Sequence, residues 1–334
     1  MLRRRSDVTR GLRLLLLLAS AAVPLPAQRG TVDTATFWSQ ALGTNKRYVV
    51  YLPPSYTRDT ARHFPVAYYL HGGAGDETNW TARGQLDRTL DSLIASGLPE
   101  MIVVMPDGDM SYYTTWNFLG DYQGCLGRPV PRRPDEKPQD YCVPWPHYDD
   151  YIARDLVKHV DSTYRTQAER KRRAIAGLSM GGYGAMSLAF NYPEVFAAAA
   201  SHSGAVAPLL IAYDSTTKRA RYATDPEQVL PSYGAQETMR LAFGRDTSGW
   251  WARDPGRKAV FQASRNDLAQ LPAIYIDVGT EDRLLGQSRA FRDVIEGVGI
   301  RPVYVERSGA HDWSYWRANA AHSVTFLAKH LTQP

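Results

Sequence analysis

A serine lies between glycines in the run AIAGLSMGGYGAMSLAF, residues 174–190. Its centre, GLSMG, places Ser179 in the G-x-S-x-G spacing of a nucleophile elbow, where a strand turns sharply into a helix and presents a hydroxyl. The run RAIAG before the serine is β-like, and the run MGGYGAMSLAFNY is compatible with a helix that stops at Pro193. Gly177 and Gly181 would permit the tight crossing of such a turn. The alternative interpretation is a glycine-rich packing helix with an incidental serine.

A serine hydroxyl is a weak nucleophile at neutral pH, so it needs a base that is oriented by an acid. The elbow arrangement requires the chain order serine, acid, histidine. His311, in VYVERSGAHDWSYW, directly follows a β-like run near the C-terminus. His322 and His330 fall in the last amphipathic segment, and His202 precedes every downstream candidate acid. We therefore predict that His311 is the base.

The run AIYIDVGTEDRLL contains three candidate acids, Asp277, Glu281 and Asp282. Asp277 lies within the predicted strand and would point into a packed layer. Glu281 and Asp282 lie on the loop beyond Gly279, at the edge of a sheet where catalytic groups collect. We favour Asp282 over Glu281 as the orienting acid.

An oxyanion hole needs two backbone N–H groups aimed at the developing negative charge. The N–H of Met180, which follows the proposed nucleophile, would supply one of them. The glycine-rich turn in YYLHGGAGDETNW, after an earlier β-like run, would supply the second at Gly73.

The elements that would position these groups alternate along the chain. Amphipathic stripes, such as the one at residues 86–94, separate short apolar runs that resemble strands buried on both faces. The β-like runs are RYVVYL, PVAYYLHGG, MIVVMPDG, RAIAGLS, AAAASHSG, AIYIDVGT and RPVYVERS. This alternation predicts an α/β fold with a mostly parallel central sheet and helices on both faces. Segments of about 109–147 and 205–265 interrupt the pattern, and we interpret them as insertions in a single domain.

The N-terminus has the features of an export signal. Residues 1–27 combine five arginines with an apolar run from Leu14 to Val23 and end at the small residue Ala27, which predicts a cleaved signal peptide and a secreted or periplasmic protein. With Asp7, they account for +4 of the net charge of +5, so the remaining chain, 28–334, is nearly neutral. This near-neutral charge gives no strong argument for nucleic-acid binding. No segment approaches the length of a membrane span.

The chain contains two cysteines, Cys125 and Cys142, in one proline-rich segment. In an exported protein this favours a disulfide, and two separate free thiols are the alternative. A metal site is disfavoured because only His147 lies nearby as a further ligand. We predict neither a metal nor another cofactor.

Several motifs together resemble one family. The motifs are YLHGGAGDETNW, VMPDGDMSYYTTW, HYDDYIARDLVKHVDSTYRT, AGLSMGGYGAMSLAF, SHSGA, VGTEDRLL and GAHDWSYWR. From about residue 45 to the C-terminus the chain is similar to the esterase D / putative esterase family, which includes S-formylglutathione hydrolases, feruloyl and acetylxylan esterases, enterochelin esterases and antigen 85 mycolyltransferases. The resemblance implies an α/β-hydrolase fold with Ser179, Asp282 and His311 as triad and Gly73 and Met180 as oxyanion donors. The chain departs from the family pattern in region 119–147.

With the export signal, the resemblance implies a secreted serine carboxylesterase that acts on acyl esters of carbohydrates or aromatic acids, with a small-molecule or polysaccharide-linked substrate. Trp80, Trp116 and Trp313 lie near the expected cleft and would suit stacking on sugar or phenolic rings, as would Tyr112, Tyr113 and Trp316. Ordinary core and rim packing is the alternative for each. Acyl transfer of the mycolyltransferase type and a catalytically silent exported binding protein are the alternative functions.

Overall fold

The computed structural model describes residues 29–117, 120, 122–127, 134, 136–233, 236–265 and 267–332. The predicted signal peptide lies outside these residues. Within them, the strands are β1 (Thr31–Ser39), β2 (Thr44–Leu52), β3 (Val66–Leu70), β4 (Ile102–Pro106), β5 (Arg173–Leu178), β6 (Ala198–His202), β7 (Leu210–Asp214), β8 (Arg219–Tyr222), β9 (Ala273–Gly279) and β10 (Val303–Arg307).

The helices of the described ranges are α1 (Asn79–Ala82), α2 (Leu86–Ala95), α3 (Tyr122–Gly127), α4 (Pro138–Tyr141), α5 (Tyr148–Asp150), α6 (Val157–Thr163), α7 (Met180–Asn191), α8 (Gln236–Phe243), α9 (Thr247–Ala252), α10 (Pro255–Ala263), α11 (Leu285–Gly297) and α12 (Trp313–Leu331). A π-helical segment, Tyr151–Leu156, joins α5 to α6. Short 3₁₀ turns lie at Arg170–Arg172, Pro226–Gln228, Leu230–Ser232 and Leu268–Gln270.

Eight of the described strands form one sheet in the order β1-β2-β4-β3-β5-β6-β9-β10. β2 is antiparallel to both β1 and β4, and every other neighbouring pair in this sheet is parallel. Each of the β-like runs forms a strand of this sheet, so the prediction of a mostly parallel sheet is confirmed. β1 was not predicted, because the sequence TVDTATFWS is polar and its strand is exposed over most of its length.

The sheet separates two apolar cores because alternate residues of each strand point to opposite faces. On β3, Tyr68 faces a core shared with the 148–163 helical segment, α7 and α11, whereas Tyr69 faces a core shared with α2 and α12. β3, β4, β5 and β6 are buried along their whole length. Helices therefore cover both faces, as their apolar stripes predict.

The two interrupting segments lie outside the main sheet. The first contains α3 and α4, which are joined by a disulfide between Cys125 and Cys142 with 5.8 Å between their Cα atoms. The predicted disulfide is thus present. The second contains the antiparallel pair β7–β8 and helices α8, α9 and α10.

The parallel topology brings four loops to one edge of the sheet. Residues 71–75 follow β3, Ser179 follows β5, residues 280–284 follow β9 and residues 308–312 follow β10. Because the carboxyl ends of parallel strands meet at the same edge, all the predicted catalytic groups lie there.

Candidate active site

Ser179 lies at the sharp turn between β5 and α7. Its backbone has φ 52° and ψ −115°, a conformation that is unusual for a residue with a side chain. A Cβ atom on Gly177 would lie 2.3 Å from the Gly181 carbonyl oxygen, and one on Gly181 would lie 2.4 Å from that of Leu70. Only glycine fits at either position, as the elbow interpretation of the sequence requires.

Strand β6 holds the turn in place. The Ser179 N–H donates to the His202 carbonyl oxygen at 2.9 Å, and the Ala205 N–H donates to the Ser179 carbonyl oxygen at 3.2 Å. Both the N–H and the carbonyl group of Ser179 are therefore hydrogen-bonded to residues 202–205. Such support is what allows a costly backbone conformation to persist.

The structure brings Ser179, His311 and Asp282 together. His311 Nε2 lies 2.9 Å from Ser179 Oγ, and His311 Nδ1 lies 2.9 Å and 3.0 Å from the two Asp282 carboxylate oxygens. Since a carboxylate only accepts, Nδ1 carries the proton that it donates, and Nε2 is left to accept the serine hydroxyl proton. The Trp316 ring lies edge-on to the imidazole at 5.0 Å between centroids. This geometry can deliver an activated serine hydroxyl.

Asp282 is ionised in its nearly buried position. Burial acts to raise the pKa of its carboxyl, but the hydrogen bond and charge of His311, together with the Leu284 N–H, hold that pKa below its ordinary value. The Leu284 N–H donates to Asp282 Oδ1 at 2.7 Å. The negative charge that would stabilise an imidazolium is thus present over the working pH range.

The Glu281 side chain points away from the His311 imidazole, toward Gly309 and Thr280. Its carboxylate is exposed and accepts from the Gly309 N–H and, at 2.8 Å, from the Thr280 hydroxyl. The Glu281 N–H donates in turn to the Gly309 carbonyl oxygen at 3.1 Å. Glu281 therefore ties the loop after β9 to the loop that carries His311, and it does not contact the imidazole.

Gly73 and Met180 both border the cavity beside Ser179. Among the residues that the structure describes, neither of their N–H groups has a hydrogen-bond acceptor. The loop at Gly73 is fixed from below, because the buried His71 ring accepts from the Gly108 N–H at 2.9 Å and its Nδ1 lies 2.7 Å from the Gly72 carbonyl oxygen. Two amides are thus free to bind an oxyanion at the serine.

A cavity of about 470 Å³ opens at the serine. Its wall includes the predicted aromatic residue Trp313, together with Trp316 and Tyr112. Its other lining residues are Gly72, Gly73, Ala74, Asn79, Arg83, Met110, Leu178, Ser179, Met180, Tyr233, Arg283 and His311.

The structure corrects the expectation for Trp80 and Trp116, which do not line this cavity. The Trp80 indole is 1% exposed and donates to the Leu70 carbonyl oxygen at 2.9 Å. Trp116 donates to the Ser111 carbonyl oxygen and its ring packs on Tyr148. Tyr113 is likewise buried and donates to the His71 carbonyl oxygen. Trp80 and Tyr113 thus pack in the core, and the partly buried Trp116 packs at its rim.

A second histidine–aspartate pair lies beneath the elbow. His202 Nδ1 is 2.9 Å from Asp277 Oδ1, and His202 Nε2 is 2.7 Å from Ser323 Oγ. All three residues are completely buried. Asp277 does point into a packed layer, as predicted, but its partner was not foreseen. Aligning β6 with β9 as adjacent parallel strands would have indicated this pair, because His202 lies opposite Asp277 in their register.

Within the described ranges, no group of three or more histidine, cysteine or acidic side chains is arranged to hold a metal ion. The helices of the same ranges include none with the length and apolar character of a membrane span.

Comparisons with known proteins give a consistent result. The Esterase family model, described as "Putative esterase", matches residues 39–327. The acetyl esterase of Caldicellulosiruptor saccharolyticus is 23% identical over 299 residues, covering 88% of this chain and 96% of that protein. Esterase Rv1288 of Mycobacterium tuberculosis is 34% identical over 284 residues, 82% of this chain and 54% of that esterase, so the chain spans about half its length.

A solved ferulic acid esterase superposes with a TM-score of 0.66 at 23% sequence identity, covering 91% of this chain and 99% of that one. This likeness shows the fold, which is the α/β-hydrolase fold.

Proposed function

The chain belongs to the Esterase family and is a carboxylic ester hydrolase, and we propose that it works through a Ser179–His311–Asp282 triad and an acyl-enzyme. The observation that carries this proposal is the unbroken line of hydrogen bonds from Ser179 Oγ through the His311 imidazole to the Asp282 carboxylate. Arrangements of this type activate a serine hydroxyl in unrelated hydrolases.

In the proposed reaction, Ser179 Oγ attacks the ester carbonyl carbon while His311 Nε2 takes the hydroxyl proton. The negative charge that forms on the carbonyl oxygen is bound by the N–H groups of Gly73 and Met180, each worth about 3 kcal/mol of barrier lowering. His311 then gives its proton to the departing alkoxide as the C–O bond breaks, which leaves the acyl group on the serine. Water, deprotonated by the same imidazole, releases the acid and restores the hydroxyl.

We propose acetyl or feruloyl-type esters of carbohydrates as the substrate class. The cavity wall offers Trp313 and Tyr112 as flat apolar surfaces for a sugar or phenolic ring. Its size suits a ligand of one or two rings. The acetyl esterase and ferulic acid esterase that the chain resembles agree with this class.

We also propose that the enzyme acts outside the cytoplasm. Residues 1–27 have the composition of a signal peptide. The disulfide between Cys125 and Cys142 agrees with an oxidising compartment.

The test uses residues 28–334 as the secreted form, assayed on 4-nitrophenyl acetate and methyl ferulate. We expect the unmodified enzyme to hydrolyse at least one of them and to take up one fluorophosphonate group at Ser179. Ser179→Ala should lower kcat by at least a thousandfold and abolish labelling, because no other hydroxyl lies at the elbow. Ser314→Ala, an exposed serine of α12, is the matched control and should retain both. Activity of Ser179→Ala within tenfold of the unmodified enzyme would refute the triad.

A further inference from the structure

Two arginines line the catalytic cavity. Arg83 follows the short helix α1, and Arg283 follows Asp282 directly in the chain. Both side chains are exposed. Neither forms an ion pair with a carboxylate among the described residues. Two arginines without a carboxylate partner therefore border the space where a substrate would bind.

Each arginine lies beside an aromatic part of the cavity wall. The Arg83 guanidinium carbon lies 5.4 Å from the centroid of the Trp313 ring, within the range of a cation–π contact. Tyr112 and Tyr233 line the cavity together with Arg283; burial raises the pKa of both hydroxyls, and the positive charge of Arg283 acts to lower it. Both positive charges thus lie at the lining of the cavity.

No acidic side chain lines the cavity in the described part of the chain. The acids next to Arg283 and His311 in the chain already have hydrogen-bond partners. Glu281 accepts from the Gly309 N–H, Asp282 from the His311 ring, and Asp312 from the Tyr315 N–H at 3.1 Å. The positive charge of the two arginines is therefore not neutralised within the wall.

This local charge is not a consequence of a basic protein. Residues 1–27 hold five arginines and one aspartate, which account for +4 of the net charge of +5, so the remaining chain is nearly neutral. A concave site with one sign of charge concentrates ligands of the opposite sign. The amino end of α7 adds its partial positive charge at Met180, in the same cavity.

We propose that the cavity selects esters that carry a carboxylate, with Arg83 and Arg283 as the residues that bind it. This inference rests on the proposed esterase function and adds the charge of its substrate. A carboxylate can accept two parallel N–H hydrogen bonds from one guanidinium. Neutral acetyl and feruloyl esters have no such acceptor apart from the reacting ester group. The carboxylate can belong to the acyl half or to the alcohol half of the ester.

The experiment compares carboxylates with carboxamides of the same size. For the alcohol half, the substrates are 4-acetoxybenzoate and 4-acetoxybenzamide. For the acyl half, they are the 4-nitrophenyl esters of 4-carboxybenzoic and 4-carbamoylbenzoic acid. In each pair, the measured quantity is the ratio of kcat/KM for the anionic ester to kcat/KM for the neutral one. Using this ratio cancels any general effect of a substitution on the catalytic groups.

We expect the ratio to reach about ten in at least one pair, and the pair that shows it identifies the half that carries the carboxylate. Arg83→Gln and Arg283→Gln should each lower the ratio about threefold to fivefold, the size of a partly exposed ion pair, and the double variant should bring it near one. Arg58→Gln removes the same charge from the β2–β3 loop at the opposite edge of the sheet, and it should leave the ratio unchanged. For the unmodified enzyme, raising NaCl from 20 mM to 500 mM should also lower the ratio, because salt screens exposed charges.

The outcomes separate the two proposals. Ratios near one in both pairs, with the neutral esters hydrolysed, would overturn the charge inference and leave the esterase proposal intact. A high ratio that neither arginine variant nor salt changes would overturn the assignment to Arg83 and Arg283. No hydrolysis of any ester would instead overturn the proposed function.

Discussion

Replacing Asp282 by asparagine tests how the histidine is oriented. The carboxylate lies 2.9 Å and 3.0 Å from His311 Nδ1, so each oxygen is in position to accept the proton on that nitrogen. Asparagine has the same shape, but one of its two terminal atoms is an amide nitrogen that can only donate. When this NH₂ group faces Nδ1, the imidazole proton must move to Nε2. Ser179 Oγ then loses its acceptor.

The size of the effect follows from these contacts. The Asp282 side chain is fully shielded from solvent, so water does not replace the lost charge beside the imidazolium that forms during attack. In other triads this substitution lowers kcat by about 10⁴, which is about 5.5 kcal/mol. We expect Asp282→Asn to lower kcat by a factor of at least about 100 and up to about 10⁴.

Glu281→Gln is the matched control for Asp282→Asn. Glutamine keeps one oxygen, which can accept from the Gly309 N–H, and its amide NH₂ can donate to the Thr280 hydroxyl, so the loop that carries His311 stays tied. We expect kcat to change less than fivefold. The assay is kcat for both variants on one soluble aryl ester at pH 7.5, with circular dichroism to verify folding. The reverse ranking of the two variants would refute the assignment of the orienting acid to Asp282.

Two further predictions concern stability. Thiol titration of the denatured, unreduced protein should detect no free thiol, and two titratable thiols would contradict the disulfide. Because Cys125 and Cys142 are 17 residues apart, replacing both by alanine should lower the free energy of unfolding by about 3 kcal/mol. Burial raises the pKa of Asp254 to about 6, so the folded protein binds a proton at this carboxyl more tightly than the unfolded chain does. The contribution of this carboxyl to the free energy of unfolding should therefore fall by up to about 3 kcal/mol as the pH rises from 4 to 7. Asp254→Asn keeps an oxygen that can accept from the Arg257 N–H but cannot ionise. In urea titrations at pH 4.5 and 7.5, this variant should show a smaller loss of unfolding free energy between the two pH values than the unmodified protein. An unchanged pH dependence would refute the buried ionisation.

The sheet and the residues of the proposed triad could be singled out from the sequence because each leaves a local pattern. Strands buried on both faces are continuous apolar runs, and an elbow needs glycine on both sides of the serine because a Cβ at either position meets backbone. The chain order of the three catalytic residue types then restricts the search to a few loops. Glu281 and Asp282 are neighbours, however, and residue type alone does not show which one faces His311.

The residues of the cavity wall were harder to predict. Trp80 and Trp313 are far apart in the sequence, and the centroids of their rings are 5.6 Å apart in the structure, yet of the two only Trp313 lines the cavity. The difference is the direction of the Trp80 indole, which turns inward to donate to the Leu70 carbonyl oxygen. A motif places an aromatic residue near a site, but the direction of its side chain depends on a hydrogen-bond partner that only the folded backbone supplies.

The buried pair His202–Asp277 helps to support the strained turn at Ser179. Its side chains satisfy each other and Ser323, while the carbonyl groups of the same two residues accept from the N–H groups of Ser179 and Ser203. Buried polar groups of this kind are costly unless every partner is in place, so the network tolerates one relative position of β6 and β9. That position fixes the elbow on β5 relative to the loop after β9 that carries Asp282. The relative positions of the proposed triad residues therefore depend in part on buried residues that do not line the cavity.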